Sequence, residues 1–472
     1  MSYHHSNFSS KIGFVLAAAG SAVGLGNIWR FPYLAAKYGG GIFLLTYLIL
    51  VLTFGYSMLI AENALGRSTR KGPIGAFREY TKENKGFLGF IRVGGWINAI
   101  VPMLILPYYC VIGGWVTKYL FTMISHPVSD FSKDNMVESG EKMVTFSAKY
   151  FTDFITNPGQ SVIFFLIFAA IMCAVIAMGV QKGVERFNKI CMPALFIIML
   201  VLCAYIIFLP NSKEGFIYYL KPDPSKFSFM TVVAAMGQLF FSLSIAMGIM
   251  ITYGSYMRKE DNLVNSVNQV EFFDTMAAFL AGLIIIPAVV TFGGKEAAES
   301  AGVGLVFITL PQVFATFGGN LMGALFFVLV LFAAATSAIS ILETNVQTVG
   351  QELGITRKRA LFYCTVEFFA VGIITILGYN VLSWVKPLAW LPGHEGFDIL
   401  DSLDFISNNV MMPIAAIFTT ILVVAVIGLN KFSNAVAGGH TWLRRWLFEL
   451  CMSVVVIPCL LLILLNSFNL FG

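Results

Sequence analysis

The sequence predicts an all-α integral membrane protein with eleven transmembrane helices, and three observations carry that prediction. Of 472 residues, 58% are hydrophobic and only 12% charged, with a mean hydropathy of +0.81. A soluble domain carries roughly 25% charged residues, so one globular core has no means of hiding this much apolar surface. Second, apolar runs suited to the hydrocarbon, which takes about 20 residues as a helix, recur along the whole length. Third, Lys and Arg concentrate in alternate polar segments, the asymmetry that sets orientation across a bilayer.

In chain order, residues 1–10 form a polar tail without a signal-peptide pattern, since Lys11 is the only clear base and no small-residue cleavage site follows. His4 and His5 read as inert tail residues rather than metal ligands. The first crossing, 11–37, contains GSAVGLGNIWRFP (20–32), whose glycines, Asn27, Arg30 and Pro32 are poor material for a helix in lipid. Continuous runs follow at 42–61, 160–179, 190–209, 270–293, 320–341, 361–384, 410–429 and 446–466, with interrupted stretches at 88–122 and 229–257. The interludes 123–158, 210–228 and 385–403 read as outer loops; 294–319 is either a loop folding back as short helices or a plain connector. With the N-terminus inside, the tail and the loops near 67–92, 181–189, 257–262, 354–360 and 430–445 collect most of the 30 basic residues, and the C-terminus lies outside. That placement accounts for the net charge of +5 without a nucleic-acid partner. All seven cysteines fall in or beside apolar segments and no CxxC occurs, so neither a structural disulfide nor a zinc site is expected.

Two crossings are broken internally: the first, and the sixth at MGQLFFSLSIAMGIMITYGSY (236–256), which carries Ser242, Ser244 and Gly248. They open two halves, 11–209 and 229–429, followed by a last helix within 438–469. Broken helices at matching positions of two repeats mark the binding site of a secondary transporter. Non-helical backbone at membrane depth survives only where it lines a cavity or is packed in protein. Its freed carbonyls suit a cation and its half-helix N-termini a carboxylate. The residues alone therefore imply an ion-driven carrier of a small charged or zwitterionic solute. No HExxH, GxSxG or His–acid cluster lies at membrane depth, which argues against an enzyme, and paired breaks imply an occluded site rather than a channel.

The strings GSAVGLGNIWRFPYLAAKYGGG (20–41), GVERFNKICMPALF (183–196), GQLFFSLSIAMG (237–248) and AAATSAIS (333–340) follow one another in a chain that resembles the neurotransmitter:sodium symporters, in particular their bacterial amino-acid branch. The resemblance implies a 5+5 inverted-repeat core with unwound helices 1 and 6, and two sodium sites. The first would use the Ala22 carbonyl, Asn27, Ser242, the substrate carboxylate and Asp274, where the family has an asparagine. The second would use the Gly20, Val23 and Ala333 carbonyls with Thr336 and Ser337, although a Thr–Ser pair in a membrane helix often bonds its own backbone. Chloride-dependent relatives carry a serine where this chain has Ala278, and Asp274 supplies a fixed negative charge nearby, so no chloride requirement is expected. A shallow, snorkelling Asp274 is the alternative. Glu62 and Glu343 read as buried polar-network residues.

For the substrate, the resemblance implies that the Leu25 and Gly26 amides and the Tyr109 hydroxyl meet a carboxylate. The Ala22, Phe241 and Ser242 carbonyls and Ser244 would meet an amino group. Ile105, Ile112, Phe241, Met247, Ala338 and Ile341 would form the walls beside Ser337. Gly24 stands where amine carriers place an aspartate, so the ligand must bring its own carboxylate. Arg30 and Asp404, the latter opening the tenth helix, match the outer gate, with Phe241 as lid and Asp398 and Asp401 as rivals. The family's inner arginine–aspartate pair is replaced by His5 and Gln351, and its tail tryptophan by Phe8, which leads one to expect a weak inner latch favouring inward-open states. Gly183 and Pro193 would let the fifth helix unwind at its cytoplasmic end, or merely kink it. The implied function is sodium-coupled import of hydrophobic L-amino acids across a bacterial cytoplasmic membrane, with no obligate protein partner. The alternatives are a same-fold carrier of an osmolyte or amine, and a transport-inactive amino-acid sensor.

Overall fold

In lipid a backbone must satisfy its own hydrogen bonds, and the computed structural model, which describes residues 7–139, 142–300 and 304–468, is helical almost throughout. Among the described residues nine helices are long and apolar enough to cross a membrane: Gly41–Thr69, Gly86–Ser125, Pro158–Ala177, Val180–Ile207, Leu263–Gly294, Gly319–Leu353, Arg357–Leu377, Ile399–Ala437 and Arg445–Ser467. Lys11–Ala22 and Gly26–Lys37, bent by 46° at their break, make a tenth. Phe229–Ser242 and Ile249–Tyr256 are each too short alone; joined through residues 243–248, they form the broken sixth span.

Burial sorts the spans. The third, Gly86–Ser125, is 83% buried over its apolar window and packs along the eighth, Gly319–Leu353. Pro158–Ala177, Val180–Ile207, Arg357–Leu377 and Arg445–Ser467 are only 33–39% buried and turn apolar side chains such as Ile163, Leu200, Phe362 and Val454 outward, as lipid requires. The lower half of the sixth span lies backbone to backbone against the second. A Cβ on Gly66 would stand 1.8 Å from the Ile251 carbonyl, and one on Gly254 would stand 2.3 Å from that of Asn63. Small residues at such crossings let helices approach where no hydrophobic force drives them together.

Two details differ from expectation. The tenth span begins at Ile399, with Asp398 as its N-cap accepting from the Asp401 N–H at 2.9 Å, so Asp404 lies further into the helix rather than at its opening. A short carboxylate preceding an apolar run is a natural cap, and Asp398 fills that role. The segment 123–158 also contains a hairpin, Met136–Ser139 paired with Lys142–Thr145, then a helix at Phe146–Thr156. Four-residue strands are too short to announce themselves by alternation. The segment after Gly294 does fold back, as helical turns at Leu305–Thr316.

Candidate functional site

The first break is stitched together by side chains from other elements. Val23 is extended and buried; the Gly24 N–H donates to Asn27 Oδ1 at 3.1 Å and the Leu25 N–H to the Tyr109 hydroxyl at 3.3 Å. Gln238 Nε2 donates to the Gly26 carbonyl at 2.8 Å. A Cβ on Gly24 would lie 2.4 Å from Ser337 Oγ and 3.1 Å from the Tyr109 hydroxyl, so only glycine fits there. In the sixth-span break Ser244 and Ala246 have φ of 54° and 61°, left-handed values unusual outside glycine. Glu62 Oε1 accepts from the Ala246 N–H at 2.7 Å, and Ser244 Oγ donates to the Ser21 carbonyl at 2.9 Å, which ties the two breaks to each other.

Asp274 is fully buried, which rules out the shallow alternative. Its Oδ1 accepts from Asn27 Nδ2 and from Ser242 Oγ, both at 2.8 Å; Oδ2 accepts from the Tyr47 hydroxyl at 3.4 Å. A carboxylate, an amide and a hydroxyl thus converge beside the first break, a hard-oxygen set suited to a hard cation. On the eighth span, Ser337 Oγ donates to the Ser21 carbonyl at 2.9 Å and approaches that of Gly20 at 3.4 Å. Thr336 Oγ1 bonds its own helix, at Phe332 and Ala333, at 3.0 and 3.1 Å. A Cβ on Gly20 would sit 3.3 Å from Thr336 Cβ, so Gly20, Ala333, Thr336 and Ser337 form one neighbourhood.

Between the breaks lies a cavity of about 20 Å³ lined by Ser21, Ala22, Gly24, Leu25, Gly26, Ile105, Tyr109, Phe241, Ser244, Met247, Ser337 and Ile341. Of the expected substrate contacts, Ser242 and Ala338 are buried without lining the cavity, and Ile112 faces a second cavity further out; the Ser242 hydroxyl meets Asp274, its expected neighbour at the first sodium site. That outer cavity, about 210 Å³, is also lined by Arg30, Tyr108, Asp401 and Asp404, and shares Leu25, Tyr109 and Phe241 with the inner one. These three side chains are therefore the partition. The Arg30 guanidinium stands 5.6 Å from the centre of the Phe241 ring. It forms no ion pair with Asp404, whose carboxylate accepts from Asn408 Nδ2 at 2.6 Å. The two expected gate residues face one vestibule and do not close across it.

On the opposite side, where a weak latch is expected, the structure is tightly packed. Gln351 accepts from the Gly72 N–H at 2.9 Å, and His5 lies outside the described residues, as does His4. Phe8 is buried in an aromatic cluster, with ring centres 5.9, 5.5 and 6.0 Å from Phe14, Tyr253 and Tyr256. Its N–H donates to the Tyr256 carbonyl at 3.1 Å, and the Ser9 N–H to Glu185 Oε2 at 2.8 Å. Glu343 is buried in an ion pair with Arg357 and accepts from the Tyr256 hydroxyl at 2.8 Å, so both it and Glu62 sit in polar networks. The fifth span begins with a wide π-helical stretch, Val180–Glu185, that contains Gly183. Sequence reasoning missed Ser21, Tyr47, Glu185 and Gln238. Ser21, Glu185 and Gln238 had a usable signal, being polar groups inside the quoted strings.

Two facing helix breaks around a small cavity, with a buried acid bonded to residues of both breaks and a vestibule beside it, mark a secondary transporter. The chain belongs to the sodium:neurotransmitter symporter family, whose model matches residues 5–471. It is 35% identical to the sodium-dependent transporter YhdH of Bacillus subtilis (strain 168), over 94% of each chain. It is 30% identical to the sodium-dependent transporter MJ1319 of Methanocaldococcus jannaschii, over 92% of this chain and 85% of that one. Among solved structures it is similar to MhsT in complex with L-phenylalanine, with a TM-score of 0.83 and 32% identity over 98% of this chain and all of the other. The protein is thus a multi-pass, sodium-dependent membrane transporter and not an enzyme.

Proposed function

We propose that this transporter imports hydrophobic L-amino acids with sodium by alternating access and needs no chloride. The carrying observation is the cavity between the breaks. One end offers the Leu25 and Gly26 backbone and the Tyr109 hydroxyl, while Ile105, Met247 and Ile341 wall the other. No acid lines it, so a ligand's carboxylate, not its amine alone, suits the polar end. L-phenylalanine in the similar MhsT supports this choice of class. At about 20 Å³ the cavity has room for one or two waters, so loading requires Phe241 to swing toward the vestibule.

In this reading two sodium ions are carried, one by Ala22, Asn27, Ser242 and Asp274 with the substrate carboxylate, the other by Gly20, Val23, Ala333, Thr336 and Ser337. Because ion and substrate share a contact, each tightens the other's binding by linkage. Asp274 supplies the charge for which relatives recruit chloride. The membrane is a bacterial cytoplasmic membrane, with the basic loops inside and the C-terminus outside. Uptake of a labelled amino-acid panel into proteoliposomes, with sodium replaced by potassium and chloride by gluconate, tests every part. Sodium-driven accumulation of apolar amino acids that persists in gluconate is expected. Binding without accumulation would instead identify a sensor, and preference for an amine or osmolyte would overturn the substrate class.

A further inference from the structure

Three spans reach the basic-loop side together: the end of Gly41–Thr69, the start of Leu263–Gly294 and the end of Ile399–Ala437. Among them opens a cavity of about 270 Å³, separate from the helix breaks. One wall is apolar, built from Leu263, Phe432 and Val436. The other carries Arg67 and Lys259, drawn together because Arg67 Nη2 donates to the Lys259 carbonyl at 2.6 Å. Among the described residues neither cation is in ion-pair contact with a carboxylate, because the adjacent acids are engaged elsewhere. Asp261 accepts from Arg258 at 2.8 and 3.1 Å, and Glu260 stands 3.8 Å from the same guanidinium. The cavity thus sets two cations outside any direct ion pair, with Asp261 and Glu260 acting on Arg67 only through space, against an apolar wall where three spans meet the interface.

We propose that this cavity binds the phosphodiester headgroup of an anionic phospholipid. The phosphate oxygens meet Arg67 and Lys259, and the glycerol and first acyl carbons lie on Leu263, Phe432 and Val436. Basic pockets between spans on the cytoplasmic side are suited to such headgroups. A free phosphate would satisfy the cations but leave the apolar wall without use, and a zwitterionic headgroup would bring its own cation against them.

The test titrates phosphatidylglycerol, phosphatidylcholine and inorganic phosphate into the detergent-purified full chain, reading thermal stability and lipid adducts by native mass spectrometry. Phosphatidylglycerol alone should raise the melting midpoint and form a retained adduct. Arg67→Gln and Lys259→Gln should each raise its half-saturating concentration by about fivefold, and Arg67→Lys and Lys259→Arg should keep it. Lys259→Gln stands by itself should Arg67→Gln fail to fold, because Arg67 bonds the Lys259 carbonyl and not its side chain. An equal response to phosphatidylcholine, a shift reproduced by inorganic phosphate, or an undiminished phosphatidylglycerol response in the double Gln variant would each overturn the proposal.

Discussion

A single methyl group added at position 24 would lie 2.4 Å from Ser337 Oγ and 3.1 Å from the Tyr109 hydroxyl. Both neighbours belong to the proposed site, so Gly24→Ala must displace one of them, a strain of about 1–3 kcal/mol in a packed interior. The expected result is a loss of amino-acid affinity of about tenfold or more in equilibrium binding, with stability lowered by no more than about 1–3 kcal/mol. Asp274→Asn is the complementary change, preserving shape and removing charge. Hydrogen bonds to charged groups contribute about 1.5–3 kcal/mol, so half-saturating sodium for uptake should rise at least about tenfold. Chloride should then stimulate uptake where it did not before. Unaltered sodium dependence in both chloride and gluconate would remove Asp274 from its proposed role.

The broken sixth span depends on another element for its shape. Ser244 and Ala246 hold left-handed backbone that costs a non-glycine residue roughly 1–2 kcal/mol, and Glu62 of the second span offsets part of this by accepting from the Ala246 N–H. Glu62→Ala should therefore lower stability by about 1–3 kcal/mol, the cost of stranding a buried donor, and abolish amino-acid binding. Glu62→Gln keeps an acceptor and should retain most of both, and Ala246→Gly should partly rescue Glu62→Ala by relieving the backbone. A rescue no better than that of a distant Ala→Gly change would show that strain is not the link. The break itself was legible, because Ser242, Ser244 and Gly248 interrupt an apolar run. Its conformation was not: neither serine nor alanine announces a positive φ, and the cap comes from a residue 184 positions away. The tenth span shows the opposite failure, since Asp398 had the signature of an N-cap but Asp404 drew the attention as a gate.

Across the molecule, apolar runs and paired breaks made the spans and the site's location readable, whereas the conformational state rests on side-chain meetings no pattern announces. Gln351 stood in the sequence only as a substitute in a missing ion pair and Phe8 only as a substitute for a tryptophan, but the structure closes that side by packing Phe8 against Phe14, Tyr253 and Tyr256. Those partners lie on the first span and on the lower half of the sixth, which the Gly66 and Gly254 contacts fasten to the second span. Opening inward must therefore pull Phe8 out of its cluster, so the aromatic contact favours only the inward-closed state. Truncating a buried phenylalanine costs about 3–5 kcal/mol, and every 1.4 kcal/mol is about tenfold in an equilibrium. Phe8→Ala should accordingly raise the inward-open population by well over about tenfold. The measurement is the labelling rate of Ala22→Cys by a membrane-impermeant thiol reagent applied from the cytoplasmic side, with and without Phe8→Ala. Sodium should slow labelling in both, because binding at the breaks favours the closed arrangement. A rate indifferent to Phe8 would mean that the inner side is held by Gln351, Glu185 and the polar contacts alone.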